Sequence, residues 1–236
     1  MIHVGAVGRE GVWAVDRLTA AGVDTGQIVT LDHATGHAII FVDKGAENQI
    51  VIHAGANRAV PPGSVARALD RAQAGDWLLT QNETNGGPEA ARSARERGLR
   101  VAYAAAPFDA EAAAGMLPLA DLVVVNEAEA RALGAHLGRW PDGVGLLVTR
   151  GRGGACYQDA SGTVEIPAFR VDPVDTTGAG DCFTGYFLAG LDTGLAPEAA
   201  LRRAAAAAAI SVTRRGAADA IPEGVEVDRF LSDHPA

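Results

Sequence analysis

The stretch Val174-Asp175-Thr176-Thr177-Gly178-Ala179-Gly180-Asp181 holds the residue types that handle a transferring phosphate. A helical apolar pattern, Cys182 to Leu191, follows it directly. Two glycines just before a helix let the backbone approach a ligand closely, and the exposed N–H groups and positive dipole end favour an anion. A carboxylate at the same place is out of keeping with a site that only binds anion. It fits a site where Asp181 takes a proton from a nucleophile attacking the bound phosphate. Read alone, Gly-x-Gly-Asp serves equally as a glycine turn with Asp181 capping its helix. The flanking Asp175-Thr176-Thr177 makes the pattern far more specific.

Such a loop must be carried by strands and helices, and the chain alternates them. Trp77–Thr80, Arg100–Tyr103, Leu122–Val125 and Gly145–Thr149 are short apolar runs, as expected of strands covered on both faces. Between them lie helical stretches at Pro62–Ala74, Gly87–Arg97 and Glu127–Leu133, the first two with proline near a first-turn position. This alternation predicts βαβ units and a mostly parallel sheet flanked by helices, an α/β fold of Rossmann type. Ile2–Gly5 reads as a strand with no lead-in. His37–Val42 and Asn48–His53 read as a hairpin around the polar turn 43–47, and Gly154–Tyr157 with Thr163–Ile166 as a second. The Ala-rich run Pro197–Val212 reads as a helix. One domain over residues 1–236, with the 37–53 hairpin projecting, is the expected organisation.

Composition narrows the classes. With 236 residues the chain can bury a sizeable core. A net charge of −9 argues against a nucleic-acid surface. No apolar run is long enough for a bilayer, and no signal-peptide pattern opens the chain, so a cytoplasmic protein is expected. Cys156 and Cys182 are too few for a disulfide framework or zinc site, and His33, His37 and His53 lack metal-ligand spacing.

The chain resembles the ribokinase-like (PfkB-type) carbohydrate kinase family, its ribokinase group in particular. Asp175 to Asp181 matches the family's C-terminal signature, and Asn126-Glu127-Ala128-Glu129 its Asn-x-x-Glu motif after a strand. Thr149-Arg150-Gly151-Arg152-Gly153-Gly154 resembles its nucleotide loop; Ile52–Asn57 and Val212–Ala217 are similar to further segments. No Walker A pattern is present. The resemblance implies an ATP-dependent kinase that phosphorylates a primary hydroxyl of ribose or a similar sugar. Asp181 would be the base, worth about 10²–10⁴ in rate. The amides of Gly178, Ala179 and Gly180 would form the anion hole, at roughly 3–4 kcal/mol per well-placed donor. It implies that Asn126 and Glu129 serve Mg²⁺ and the ATP phosphates through water. Thr149, Arg150, Gly151, Arg152, Gly153 and Gly154 would hold the nucleotide. Asp175, Thr177, Ser211, Arg214, Gly216 and Ala220 would hold an activating K⁺, several through carbonyls. Glu83, after the strand Trp77–Thr80, would contact the sugar. Plain alternatives stand beside several of these: Glu129 as a helix-surface residue, 149–154 as a strand-to-hairpin turn, Asp175 as an Asx turn, and Glu83 as an exposed loop residue.

Departures from the family matter too. Its early sugar-binding Asp and its Gly-Gly-x-Gly-x-Asn motif have no counterpart here, and motif counting places Ile2 roughly 60–70 residues into the family's order. The 37–53 hairpin then corresponds to half of the family's β lid, which puts lid-mediated homodimerisation in doubt. Arg9 stands where the family's Gly-x-x-Gly-Asp-Asp turn has an acid. The connection between Gly134 and Leu146 is short, and Ala205 replaces a polar residue near the adenine. These departures support an alternative: a shortened or non-catalytic homologue that binds nucleotide and holds sugar poorly. A dinucleotide-binding protein is disfavoured, because no Gly-x-Gly-x-x-Gly follows the first strand.

Overall fold

In this computed structural model residues 1–42 and 48–235 are described, so the polar turn expected at 43–47 lies outside the described residues. The α/β reading holds. Two compact units form, one of Met1–Val101 with Ala106–Leu119, the other of Ala102–Ala105 with Ala120–Ala236. The larger sheet is six-stranded and mostly parallel, flanked by helices. Its strands are β5 (Trp77–Gln81), β6 (Arg100–Ala104), β7 (Leu122–Asn126), β8 (Gly145–Thr149), β9 (Ala155–Asp159) and β10 (Gly162–Ile166), in spatial order β10-β9-β8-β7-β6-β5.

In the first unit, β1 (Ile2–Val7) pairs in parallel with β2 (Asp24–Thr30) as a separate two-stranded sheet, linked by helix α1 (Val12–Ala20). β3 (His37–Val42) and β4 (Asn48–His53) make the expected antiparallel hairpin, with His37 opposite His53. Helix α2 (Pro62–Leu69) starts at Pro62 as expected but stops at Leu69, where the Asp70 amide bonds back to Ala66. Helices α3 (Gly87–Glu96) and α4 (Ala110–Met116) complete the unit; Asp109 caps α4 by accepting the Ala112 amide at 2.7 Å. Close backbone approach explains several glycines here. A Cβ at Gly8 would sit 2.3 Å from the His33 carbonyl, and one at Gly55 (φ +48°) would sit 2.2 Å from the Ala34 carbonyl.

In the second unit, β6, β7 and β8 run parallel, and the β9–β10 hairpin joins antiparallel at the sheet's end. Leu122–Val125 and Leu147 are almost fully buried, as strands covered on both faces must be. Helix α5 (Glu127–Leu137) follows β7 and runs four residues past the expected Leu133. Helices α6 (Ala179–Asp192) and α7 (Pro197–Val212) pack together, and helix α8 (Gly224–Asp233) closes the chain. The alanine run of α7 has a packing reason. A Cβ on Gly190 of α6 would fall 2.9 Å from the Ala200 Cβ, so small residues on both helices set their separation. Cys182, Ala206, Ala207, Ile210 and Val227 form the core beneath.

Candidate active site

The start of α6 is built by its own loop. Gly178 is the N-cap with φ +72°, a left-handed conformation that a side chain would strain, and a Cβ there would lie 3.2 Å from the Ala217 Cβ. The Ala179 amide donates to the Thr176 carbonyl at 3.2 Å and the Cys182 amide to Gly178 at 2.9 Å. The helix's first-turn amides are the ones with no acceptor inside it. At Gly180 a Cβ would meet nothing within 4 Å, and Gly180 lines a cavity. Internal packing therefore does not demand glycine at 180. Asp181 stands exposed in the first turn of α6, and the buried Thr184 hydroxyl donates back to the Gly180 carbonyl at 2.8 Å. Next to Asp181, Cys182 is buried, and that burial pushes its thiol pKa up, so it stays protonated and inert.

Asp175 is the anchor of the loop. One carboxylate oxygen accepts the Thr177 amide and the other the Gly216 amide, each at 3.0 Å. The Thr177 hydroxyl, the Thr177 amide and the Gly216 amide hold its pKa down at about 2. The Asx turn is therefore present, and Asp175 also ties the 174–178 loop to the segment after α7. The Val174 and Asp175 amides both donate to the Val212 carbonyl, at 2.7 and 3.1 Å. Thr177 and Gly216 are thus brought together around Asp175. Ser211 sits at the C-terminal end of α7, where its carbonyl accepts the Arg214 amide at 3.0 Å. The Arg214 side chain pairs with Glu226 at 2.5 Å, and since a guanidinium carries donors only, its carbonyl is the one group it could offer a cation. Ala220 is buried, with its amide on the Ala217 carbonyl. Among the described residues no group of three or more His, Cys, Asp or Glu forms a metal cluster.

Asn126 and Glu129 form a reciprocal cap on α5. The Asn126 Oδ1 accepts the Glu129 amide at 3.0 Å, and the Glu129 Oε2 accepts the Asn126 amide at 2.7 Å. Glu129, expected either at the Mg²⁺ site or as a plain helix-surface residue, thus also closes the helix start. Beside it, the turn after β8 is shaped by Gly154, whose φ is +90° and where a Cβ would strike the Ile166 carbonyl at 2.0 Å. Arg150 turns to Glu165 in an ion pair at 3.0 Å.

These pieces surround one cavity of about 680 Å³, within the range of ligand pockets. Asn126, Thr149, Gly151, Arg152, Gly154, Thr176, Ala179 and Gly180 line it; Gly178, Asp181, Glu129, Arg150 and Gly153 do not. The residues that sequence reasoning missed come from the 167–173 segment, from α6 and from α7, among them Phe169, Arg170, Val171, Phe183, Ala208 and Ala209. Spacing within the alanine run was the available signal. It could not show which face turns to the cavity.

Glu83 belongs to the first unit and is exposed. Its loop is firmly held: Arg58 donates to the Asn82 and Thr84 carbonyls at 2.9 and 3.1 Å, and Asn85 exchanges hydrogen bonds with the Val60 backbone at 2.9 and 3.0 Å.

A helix start that opens onto a cavity, with a carboxylate in its first turn, now has a family behind it. The model of the pfkB family carbohydrate kinases matches residues 4–224. The chain belongs to this family. It is 34% identical to the ribokinase of Haemophilus influenzae over 226 residues, covering 89% of this chain and 74% of that one. It is 33% identical to the ribokinase of Bacillus subtilis over 240 residues, 97% of this chain and 80% of the relative. The crystal structure of a ribokinase from Cryptococcus neoformans in complex with ADP superposes with a TM-score of 0.86 at 28% identity, covering 98% of this chain and 82% of that one. This pfkB-family chain is accordingly a carbohydrate kinase. Among its described residues no helix is long and apolar enough to cross a membrane.

Proposed function

We propose that this kinase transfers the γ-phosphoryl group of ATP to a primary hydroxyl of ribose or a similar pentose. The carrying observation is the start of α6, where Ala179 and Gly180 line the cavity, Asp181 stands exposed in the first turn beside them, and Thr149, Gly151, Arg152 and Gly154 line the same cavity. Phosphoryl transfer asks a protein mainly for positioning and charge neutralisation. The amides of Gly178 and Gly180 hold the transferring group; the Ala179 amide, expected to share that task, is already spent on the Thr176 carbonyl at 3.2 Å. Asp181 takes the hydroxyl proton as the sugar oxygen attacks. Asn126, Thr149 and Gly151 hold the nucleotide, a role supported by the ADP bound to the Cryptococcus relative. Mg²⁺ supplies charge neutralisation on the phosphates when bound. Glu129 fits a water-mediated contact to it, since only Oε2 is spent on the cap. Asp175, held ionised, fits a monovalent cation together with carbonyls of Thr177, Ser211, Arg214, Gly216 and Ala220. Glu83 contacts the sugar.

A second reading is a nucleotide-binding relative with weakened sugar affinity. It is favoured by the first unit, where β1 and β2 form a sheet of their own rather than extending the six-stranded one. Measuring ADP release with a panel of pentoses and hexoses decides between them. Saturable turnover of ribose or a related pentose supports the kinase reading. Nucleotide binding with no turnover of any sugar overturns it in favour of the second.

A further inference from the structure

His37 and His53 are far apart in sequence and lack a metal-ligand spacing, yet the register of β3 and β4 sets them directly opposite each other. Opposed residues of an antiparallel pair turn their side chains to one face. The two ring centroids lie 5.1 Å apart with the planes inclined at 42°. A metal bound at the usual 2.0–2.1 Å from an imidazole nitrogen sits about 3.2 Å from that ring's centroid. Centroids 5.1 Å apart then suit a ligand–metal–ligand angle of about 105°, close to tetrahedral.

His37 is fixed in the form a metal uses. Its Nδ1 lies 2.9 Å from the Thr35 carbonyl, an oxygen that only accepts. Nδ1 therefore carries the proton, and the neutral ring keeps its lone pair on Nε2. A backbone carbonyl on the other ring nitrogen is a usual support of a ligating histidine. Thr35 is itself held: its amide donates to the Glu10 Oε1 at 2.6 Å, and its hydroxyl accepts the Gly8 amide at 2.9 Å. The open end of the hairpin is clamped as well, with the Ala56 amide donating to the Ala34 carbonyl at 2.8 Å. Glu10 brings a countercharge to this end. Hydrogen bonds from the Thr35 amide, its own amide and the Thr35 hydroxyl hold its carboxyl below the usual range, and the charge of His37 adds to them. Among the described residues no third His, Cys, Asp or Glu joins the pair, so water completes the coordination.

We infer that His37 and His53 form a two-imidazole site for a first-row transition-metal dication of the Zn²⁺ or Ni²⁺ kind, at the open end of the β3–β4 hairpin. Imidazole suits these ions, whereas Mg²⁺ prefers oxygen ligands. The site is separate from the Mg²⁺ assigned to the phosphates and does not depend on the kinase reading. Titration calorimetry of the full chain with zinc chloride, without nucleotide, tests it. Saturable uptake of one Zn²⁺ per chain is expected. His37→Ala and His53→Ala should each weaken it at least about tenfold, since loss of a supporting partner alone costs a metal site about 10- to 100-fold. His33→Ala should leave it unchanged. His53 is exposed, so its replacement removes no packed group, and circular dichroism reports the fold. No uptake by the unaltered chain at millimolar Zn²⁺ overturns the inference. So does uptake that survives in a folded His53→Ala, or a loss of only half the signal in each single variant, the mark of two independent imidazoles.

Discussion

The loop before α6 and the loop after β5 are both tightly hydrogen-bonded, yet they are built to different ends. In the second unit, the 174–178 loop is tied by a carboxylate to two backbone amides, and its next residues leave helix amides and open space at Gly180. In the first unit, the 82–85 loop is pinned from below by Arg58 and Asn85, and its one acidic side chain, Glu83, is left exposed. Under the proposed function, the first arrangement makes a cradle for charge out of backbone. The second presents one side chain on a rigid base. A backbone cradle depends on glycine and tolerates little change, whereas a presented side chain can be exchanged without loss of its support.

Five substitutions test this contrast. Asp181→Asn should lower the rate of sugar-dependent ADP release by about 10²–10⁴ while leaving ADP affinity in place. An unchanged rate would remove Asp181 as the base. Gly180→Ala should abolish most nucleotide binding but hold or raise the melting temperature, since a Cβ there meets no protein atom and Gly-to-Ala in a helix stabilises by about 0.5–1 kcal/mol. Gly178→Ala should behave oppositely, costing about 1–3 kcal/mol in urea unfolding because φ is +72° and Ala217 is close. Similar stability for the two variants would contradict the difference in role. Glu83→Gln should raise the sugar KM roughly 10- to 100-fold, the worth of one charged hydrogen bond, with the melting temperature unchanged. The smallest effect concerns pH. The Asp175 pKa falls from 3.8 to about 2 on folding, so its contribution to stability is fully present above 3.8 and is lost as pH falls through about 2. Urea midpoints measured down that range should fall less steeply for Asp175→Asn than for the unaltered chain.

Much of this was legible beforehand, for local reasons. The four apolar runs from Trp77 to Thr149 became β5 to β8, and the 154–166 hairpin formed in its expected place, because period and turn residues act over a few positions. The stop of α2 at Leu69 was less so: Ala72 and Ala74 have good helix propensity, but the Arg71 and Ala72 amides turn back by three residues and Asp76 accepts the Gln73 amide. In the Asn-x-x-Glu motif, a candidate for metal-linked chemistry also closes a helix cap. Both uses want the same oxygens at a helix start, so spacing does not separate them.

By itself the sequence determined the class of chemistry. Asp175 to Asp181 combines residue types whose joint use is narrow, and their order along the chain carries the family. Only the tertiary structure decided what the alanine run is for. Alanine favours a helix wherever it stands, and a helix of alanines has no distinct face in the sequence. The close approach of Gly190 to Ala200 turns one side of α7 into packing. The hydrogen bonds from Val174 and Asp175 to Val212 bring the other side to the cavity wall. Contacts between residues distant in sequence made that division, and no local pattern encodes it.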